Sequence, residues 1–206
     1  MNYNINPAEI ERESMAIIER NVPVLQELPA GERAIVKRII HTTGDFHIAP
    51  LVRIHPLAVE AGLRALKNSC TIFTDVNMVL AGLNRKKMEE LNVRAACRIG
   101  DPEVVDRANL TGETRARAAM LFAAPLDGDI VVIGNAPTAL FTLCEMIEAG
   151  IANPALVVGT PVGFVGALES KELLVAMNKV PYISVIGTRG GSTIAASAVN
   201  ALLYML

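Results

Sequence analysis

The hydrophobic positions of this chain change period about a third of the way along it. In the first part they recur at helical spacing. Ile10, Ser14, Ile17 and Ile18 share one face of a helix that opens at Pro7 behind the capping residue Asn6, with Glu9, Glu13 and Arg20 off that face. A second helix is predicted from residue 30 to about 41, burying Ile35, Val36, Ile39 and Ile40, with Thr42-Thr43-Gly44 as its stop signal. A third is predicted from Pro56 to about Asn68.

From Cys70 onward, short unbroken apolar runs take over. Residues 70–74 and 93–98 read as strands, with Asp75 and then a helical stretch to Leu91 between them. A helix is predicted over about 111–124, ended by Pro125. One pattern then occurs three times. Ile130-Val-Val-Ile-Gly134 leads into Asn135-Ala-Pro137, Leu156-Val-Val-Gly159 into Thr160-Pro-Val-Gly163, and Ile183-Ser-Val-Ile-Gly187 into Thr188-Arg-Gly-Gly191. Each is an apolar strand, a glycine, a polar or proline-containing turn and a helix. Continuous apolar strands that alternate with helices imply a parallel sheet covered on both faces. The predicted fold is one three-layer α/β/α domain over 1–206, with a mainly parallel sheet of about five strands. Residues 1–68 form a helical part packed on an α/β core at 70–206, and no linker separates a second domain.

Composition narrows the picture. At 206 residues the chain can bury a core without staples. With 51% hydrophobic and 19% charged residues it is no disordered chain, and the apolar surplus points to an oligomer. A net charge of −2 with no basic stripe argues against nucleic acid as a partner. The longest apolar stretch, 194–206, is interrupted by Asn200 and is shorter than the ~20 residues of a bilayer crossing, so it is predicted to be a buried helix, with no membrane partner. Cys70, Cys97 and Cys144 are scattered in apolar runs with no CxxC pair. Reduced, buried thiols and a polar N-terminus without a signal-peptide core imply a cytoplasmic protein.

Candidate chemistry is sparse. Ligands of such sheets bind beyond the carboxyl ends of the strands. Gly134, Gly159 and Gly187 mark that edge, where helix N-termini favour a ligand with several anionic groups. No GxxxxGK[ST] or GxGxxG loop is present, so a nucleotide cofactor has no direct support. His41, His47 and His55 have no metal-ligand spacing, and no metal or cofactor is expected. His41 falls at a helix end, where it is either a capping histidine or a functional one. Ser14 on an apolar helix face reads most simply as a hydroxyl bonded back to the preceding turn. Of Arg115 and Arg117, two positions apart on a helix, at most one can point into a given site, and such an arginine can clamp a carboxylate. Asp75 past a strand end either caps the following helix or binds a ligand, capping being the simpler role.

These residues, taken together, resemble a known family. Ser14, Arg38-Ile-Ile-His41-Thr-Thr-Gly44, Asp75-Val-Asn-Met78-Val-Leu-Ala-Gly82, Thr114-Arg115, Ile133-Gly-Asn-Ala-Pro-Thr138, Pro161-Val-Gly-Phe-Val-Gly166, Glu169-Ser-Lys171 and Thr188-Arg-Gly-Gly-Ser192 stand in the order found in the precorrin-8X and cobalt-precorrin-8 methylmutases of corrin biosynthesis. The resemblance covers essentially the whole chain. It implies a flavodoxin-like fold, a homodimer and an isomerase that moves a methyl group from C11 to C12 of a tetrapyrrole polycarboxylate by a 1,5-sigmatropic shift. It implies His41 as the catalytic proton donor. Ser14 and Arg115 match substrate contacts, and Arg38, Thr42, Asn135, Thr138 and Arg189 are further substrate-binding candidates in the same motifs. Two other readings fit the same crevice: a different α/β transferase, with Asp75 as its sole ribose-binding candidate, and a non-catalytic corrinoid carrier indifferent to His41.

Overall fold

The computed structural model describes residues 5–206; residues 1–4 of the predicted helical part lie outside it. The chain begins with α1 (Pro7–Asn21), α2 (Ala30–Thr43), a short strand β1 (Val52–Ile54) and α3 (Ala58–Lys67). Then come β2 (Thr71–Thr74), α4 (Asn77–Gly82), α5 (Arg85–Glu90), β3 (Arg94–Ala96), α6 (Pro102–Thr111) and α7 (Arg115–Ala123). The last part runs β4 (Ile130–Ile133), α8 (Pro137–Glu148), β5 (Leu156–Gly159), α9 (Ala167–Met177), β6 (Tyr182–Val185) and α10 (Ser192–Tyr204).

One six-stranded sheet results, in the order β1-β6-β5-β4-β2-β3. All pairings from β3 to β6 are parallel, and β1 is antiparallel to β6. The five predicted strands are the five parallel ones. Their order, second-first-third-fourth-fifth, is the doubly wound flavodoxin-like order, which reverses direction between β2 and β4. Side chains alternate across the sheet. Ile130 and Val132 join Ile39, Leu66, Val199 and Leu202 in a core under α2, α3 and α10. Val131 and Ile133 join Met120, Leu140, Leu143 and Leu174 in a core under α7, α8 and α9. A strand buried on both faces must be apolar at every position, which is why its sequence shows no alternation. Each such side chain stabilises the fold by about 1.5–3 kcal/mol.

Several predicted details change. β1 lies in the part read as purely helical: Val52 pairs with Val185 and Ile54 with Ile183, adding an edge strand to the sheet. Its three residues are too few to show a period. The helical stretch after Asp75 is two helices, because Asn84 starts a new one by accepting the Lys87 N–H. α6 has no counterpart among the predicted elements, although Asp101-Pro102 is a start signal. α7 starts at Arg115, with Thr114 as its cap, rather than near 111. α1 buries Ile18 but leaves Ile10 and Ile17 exposed, so its apolar face is only partly covered. Cys70 and Cys144 are buried thiols, whereas Cys97 is half-buried. Burial pushes Cys70 and Cys144 up to about 12, which leaves both as unreactive thiols. α10 is the buried C-terminal helix expected, and no helix among the described residues is long and apolar enough to cross a membrane.

Candidate functional site

His41 sits in the last turn of α2, which Gly44 closes at φ +63°. That left-handed conformation costs glycine nothing and would strain other residues. α2 packs along α10, and the exposed His41 is the common wall of two grooves. The first, about 280 Å³, lies between Arg38, His41 and Thr42 of α2 and Thr193, Ser197 and Asn200 of α10. The second, about 180 Å³, is lined by Ser14 and Ile17 of α1, His41, and Phe46 beyond α2.

The walls of the first groove are held by polar contacts. Arg38 pairs with Glu11 at 2.8 Å, and its guanidinium lies 4.8 Å from the centre of the Tyr204 ring. The Tyr204 hydroxyl accepts from the Asn84 amide at 2.9 Å. Asn200 donates to the Gly82 carbonyl and accepts the Asn84 N–H, both at 2.9 Å. These contacts fix side chains before any ligand arrives. The Ser14 hydroxyl donates to the Ile10 carbonyl at 2.8 Å, the simple back-bonded role expected for it, while still facing the groove that His41 shares.

A second group lies beyond the ends of the central strands. Thr138 exchanges a 2.9 Å hydrogen bond with Thr114, which caps α7, and Arg115 is the first residue of that helix. Arg115 is exposed and has no ion-pair partner among the described residues. Arg117 is committed to the protein itself: it contacts Glu113, Glu145 and Thr142. The hydrogen bond to Glu145 leads the effects that hold its guanidinium above its ordinary range. The spacing therefore resolves in favour of Arg115 as the free cation. Arg189, in the loop between β6 and α10, pairs with Asp45 just past α2. It lines a further cavity of about 320 Å³ with Thr43, Thr188 and Gly190.

The three marker glycines do not share one role. A side chain on Gly134 would collide with the Ser192 backbone at 2.7 Å, and one on Gly159 with Leu174 at 2.8 Å, so both serve internal packing. Only Gly187, at φ +89°, faces open space. The switch point between β2 and β4 is also filled from within. Asp75, buried at the end of β2, accepts the backbone N–H groups of Gly134, Asn135 and Ala136 at 3.0, 2.8 and 2.8 Å. It does not cap its own following helix. It occupies the place where a ligand anion would sit, and so presents Asn135 at the surface. Desolvation pushes its carboxyl above the ordinary range against the opposing pull of those N–H groups.

His41, Arg38, Thr42 and Ser14 thus come together around two grooves, Arg115 and Thr138 around the start of α7, and Arg189 beside Thr43 and Asp45. Among the described residues, no three His, Cys, Asp or Glu side chains are grouped to hold a metal ion. The groove also takes Asn200, which the sequence shows only as a break in an apolar run, and Thr193 and Tyr204, whose helical spacing with Asn200 in that nearly all-apolar stretch is the signal for them. The sequence also gives no role to Lys171, fully buried in α9.

A family model described as precorrin-8X methylmutase matches residues 9–205. The chain is 39% identical over 204 residues to the cobalt-precorrin-8 methylmutase of Leptospira interrogans, covering 95% of this chain and 92% of that protein. It is 44% identical over 195 residues to the precorrin-8X methylmutase of Pseudomonas aeruginosa, covering 94% and 93%. The solved structure of the precorrin-8X methylmutase from Thermus thermophilus superimposes with a TM-score of 0.86 at 40% identity, covering 96% of this chain and 95% of that one. Fold, residue order and near-complete two-way coverage agree, and the chain belongs to the precorrin-8X methylmutase family.

Proposed function

We propose that this protein is an isomerase that moves a methyl group from C11 to C12 of the precorrin-8 skeleton in vitamin B12 biosynthesis, with His41 as its proton donor. The observation that carries the assignment of His41 is its position as the shared wall of two grooves, flanked by Arg38, Thr42 and Ser14. A 1,5-sigmatropic shift leaves the formula of the substrate unchanged and needs no redox partner or external methyl donor. The imidazolium lends a proton to the macrocycle, which favours the tautomer that rearranges, and the neutral imidazole takes it back afterwards. Everything else is placement. Arg115, which has no ion-pair partner among the described residues, holds an acetate or propionate as a bidentate contact, and Arg38 and Arg189, already paired with Glu11 and Asp45, add charge-assisted contacts from their remaining N–H groups. Ser14, Thr42, Asn135 and Thr138 supply neutral hydrogen bonds, and Ile17 and Phe46 give the macrocycle an apolar wall.

The protein acts as a cytoplasmic homodimer in this reading. Exposed apolar side chains support association: Phe164 is 92%, Val165 89% and Met78 70% exposed in the single chain, and the uncovered Ile17 lines the groove of Ser14 and His41. The test mixes purified protein with precorrin-8 and follows the absorption band of the corrin product in a single turnover, for the wild type and His41→Ala. Product formation that is lost with the histidine supports the assignment. Product binding without turnover, indifferent to His41, would return the protein to the carrier reading.

A further inference from the structure

Lys171 is fully buried, and its Nζ donates to the Arg189 carbonyl at 2.8 Å. No carboxylate among the described residues pairs with it. The acidic groups of the neighbouring helices are turned elsewhere: Glu145 to Arg117, Glu148 to Lys179, and Glu169 and Glu172 to the surface. A buried cation without a counter-ion is a standing cost to stability, and an apolar side chain of similar volume would fill the space with less penalty. The ammonium is therefore explained by what it holds.

What it holds is the loop between β6 and α10. The Gly163 N–H donates to the Thr188 carbonyl at 3.1 Å, and the Gly191 N–H to the Thr160 carbonyl at 2.8 Å. Gly190 approaches so closely that a Cβ there would lie 2.3 Å from the Thr160 carbonyl oxygen, so the loop seats only with glycine. In a trans peptide, C=O and N–H point in opposite directions. With the Arg189 carbonyl turned inward to Lys171, the Gly190 N–H is turned away from it, and no acceptor among the described residues takes it. Arg189 and Gly190 line the 320 Å³ cavity beyond α2, where Asp45 holds the guanidinium. Arg189 and Lys171 against Asp45 leave that corner net positive.

We propose that Lys171 is a positioning residue of the methylmutase site: it fixes the Arg189–Gly190 peptide so that the Gly190 N–H and the Arg189 guanidinium jointly receive one substrate carboxylate. The proposal rests on reading Arg189 as a substrate contact. Burial lowers the ammonium from 10.5 to about 8, which leaves it charged at neutral pH.

The experiment compares Lys171→Met and Arg189→Ala with the wild type, reading KM and kcat for precorrin-8 and the melting temperature without ligand. Lys171→Met is expected to melt higher than the wild type at pH 7, yet to raise KM about tenfold, with kcat within about twofold. A merely structural lysine would lose stability when replaced, so a lower melting temperature, or failure to fold, overturns the proposal. An unchanged KM in Lys171→Met beside a raised KM in Arg189→Ala also overturns it while leaving the loop a substrate contact. An unchanged KM in both variants overturns the reading of the loop itself.

Discussion

The Asp75 carboxylate accepts the Asn135 backbone N–H at 2.8 Å, across the point where the winding of the sheet reverses. The same two oxygens satisfy Gly134 and Ala136. Asp75→Ala would leave three N–H groups without an acceptor, two of them in buried residues, at a cost of about 3 kcal/mol or more. The expected result is a fall of about 10 °C in melting temperature, followed by circular dichroism. A shift of only a degree or two would mean that water or neighbouring groups replace the carboxylate readily.

His41→Ala is expected to lower kcat by about 10²-fold or more, the usual scale for losing a general acid. Product affinity should stay within about tenfold, because carboxylate contacts and the macrocycle face supply most of the binding. Single-turnover rates and product titration on the same variant check both. Near-normal turnover would remove His41 from the chemistry.

The two arginines of α7 should separate cleanly. Arg115→Ala is expected to raise KM about tenfold with kcat nearly kept, since a carboxylate clamp acts alike on ground and transition states. Its melting temperature should hardly move. Arg117→Ala loses half-exposed ion pairs to Glu113 and Glu145. That should cost about 1 kcal/mol or less and leave KM unchanged. Interchanged effects would show that the helix presents its other face to the substrate.

Lys171 predicts a pH signature. Its folded-state value, about 8, lies below its ordinary 10.5, so between these limits the unfolded chain binds more protons than the folded one. The sign follows: the contribution of this group to stability rises with pH from about 8 towards 10.5 and is constant below that window. The advantage of Lys171→Met in melting temperature should therefore be largest near pH 7 and shrink towards pH 10. A gap that widens with pH would show that the ammonium is stabilised in the fold.

Association is checked by mass. Sedimentation at micromolar concentration should give twice the 22.0 kDa of the chain. A single-chain mass would leave Phe164 and Val165 without the covering partner that their exposure implies.

Elements whose physics is local or two-faced are legible in the residues alone. Pro7 behind Asn6, Gly44 after an apolar helical face, and the unbroken runs at 130–133 and 156–159 each announce their structure, because caps and full burial constrain residue type at fixed positions. The ordered motifs that resemble the family single out His41, Arg115 and Ser14 from residue identity alone. Tertiary structure decided what depends on distant partners. β1 is three residues long and becomes a strand only beside β6. Whether Arg115 or Arg117 is free depends on Glu145, on another helix. Gly134 and Gly159 look like ligand glycines until α10 and α9 are seen packed against them. Asp75 closes the switch point by reaching residues some sixty positions away. Lys171, which the sequence places between Glu169 and Glu172, becomes a buried cation only once α9 is laid under the loop that carries Arg189. Local propensity acts over a few residues, whereas burial, hydrogen-bond satisfaction and charge pairing are settled by whichever segments the fold brings within a few ångströms.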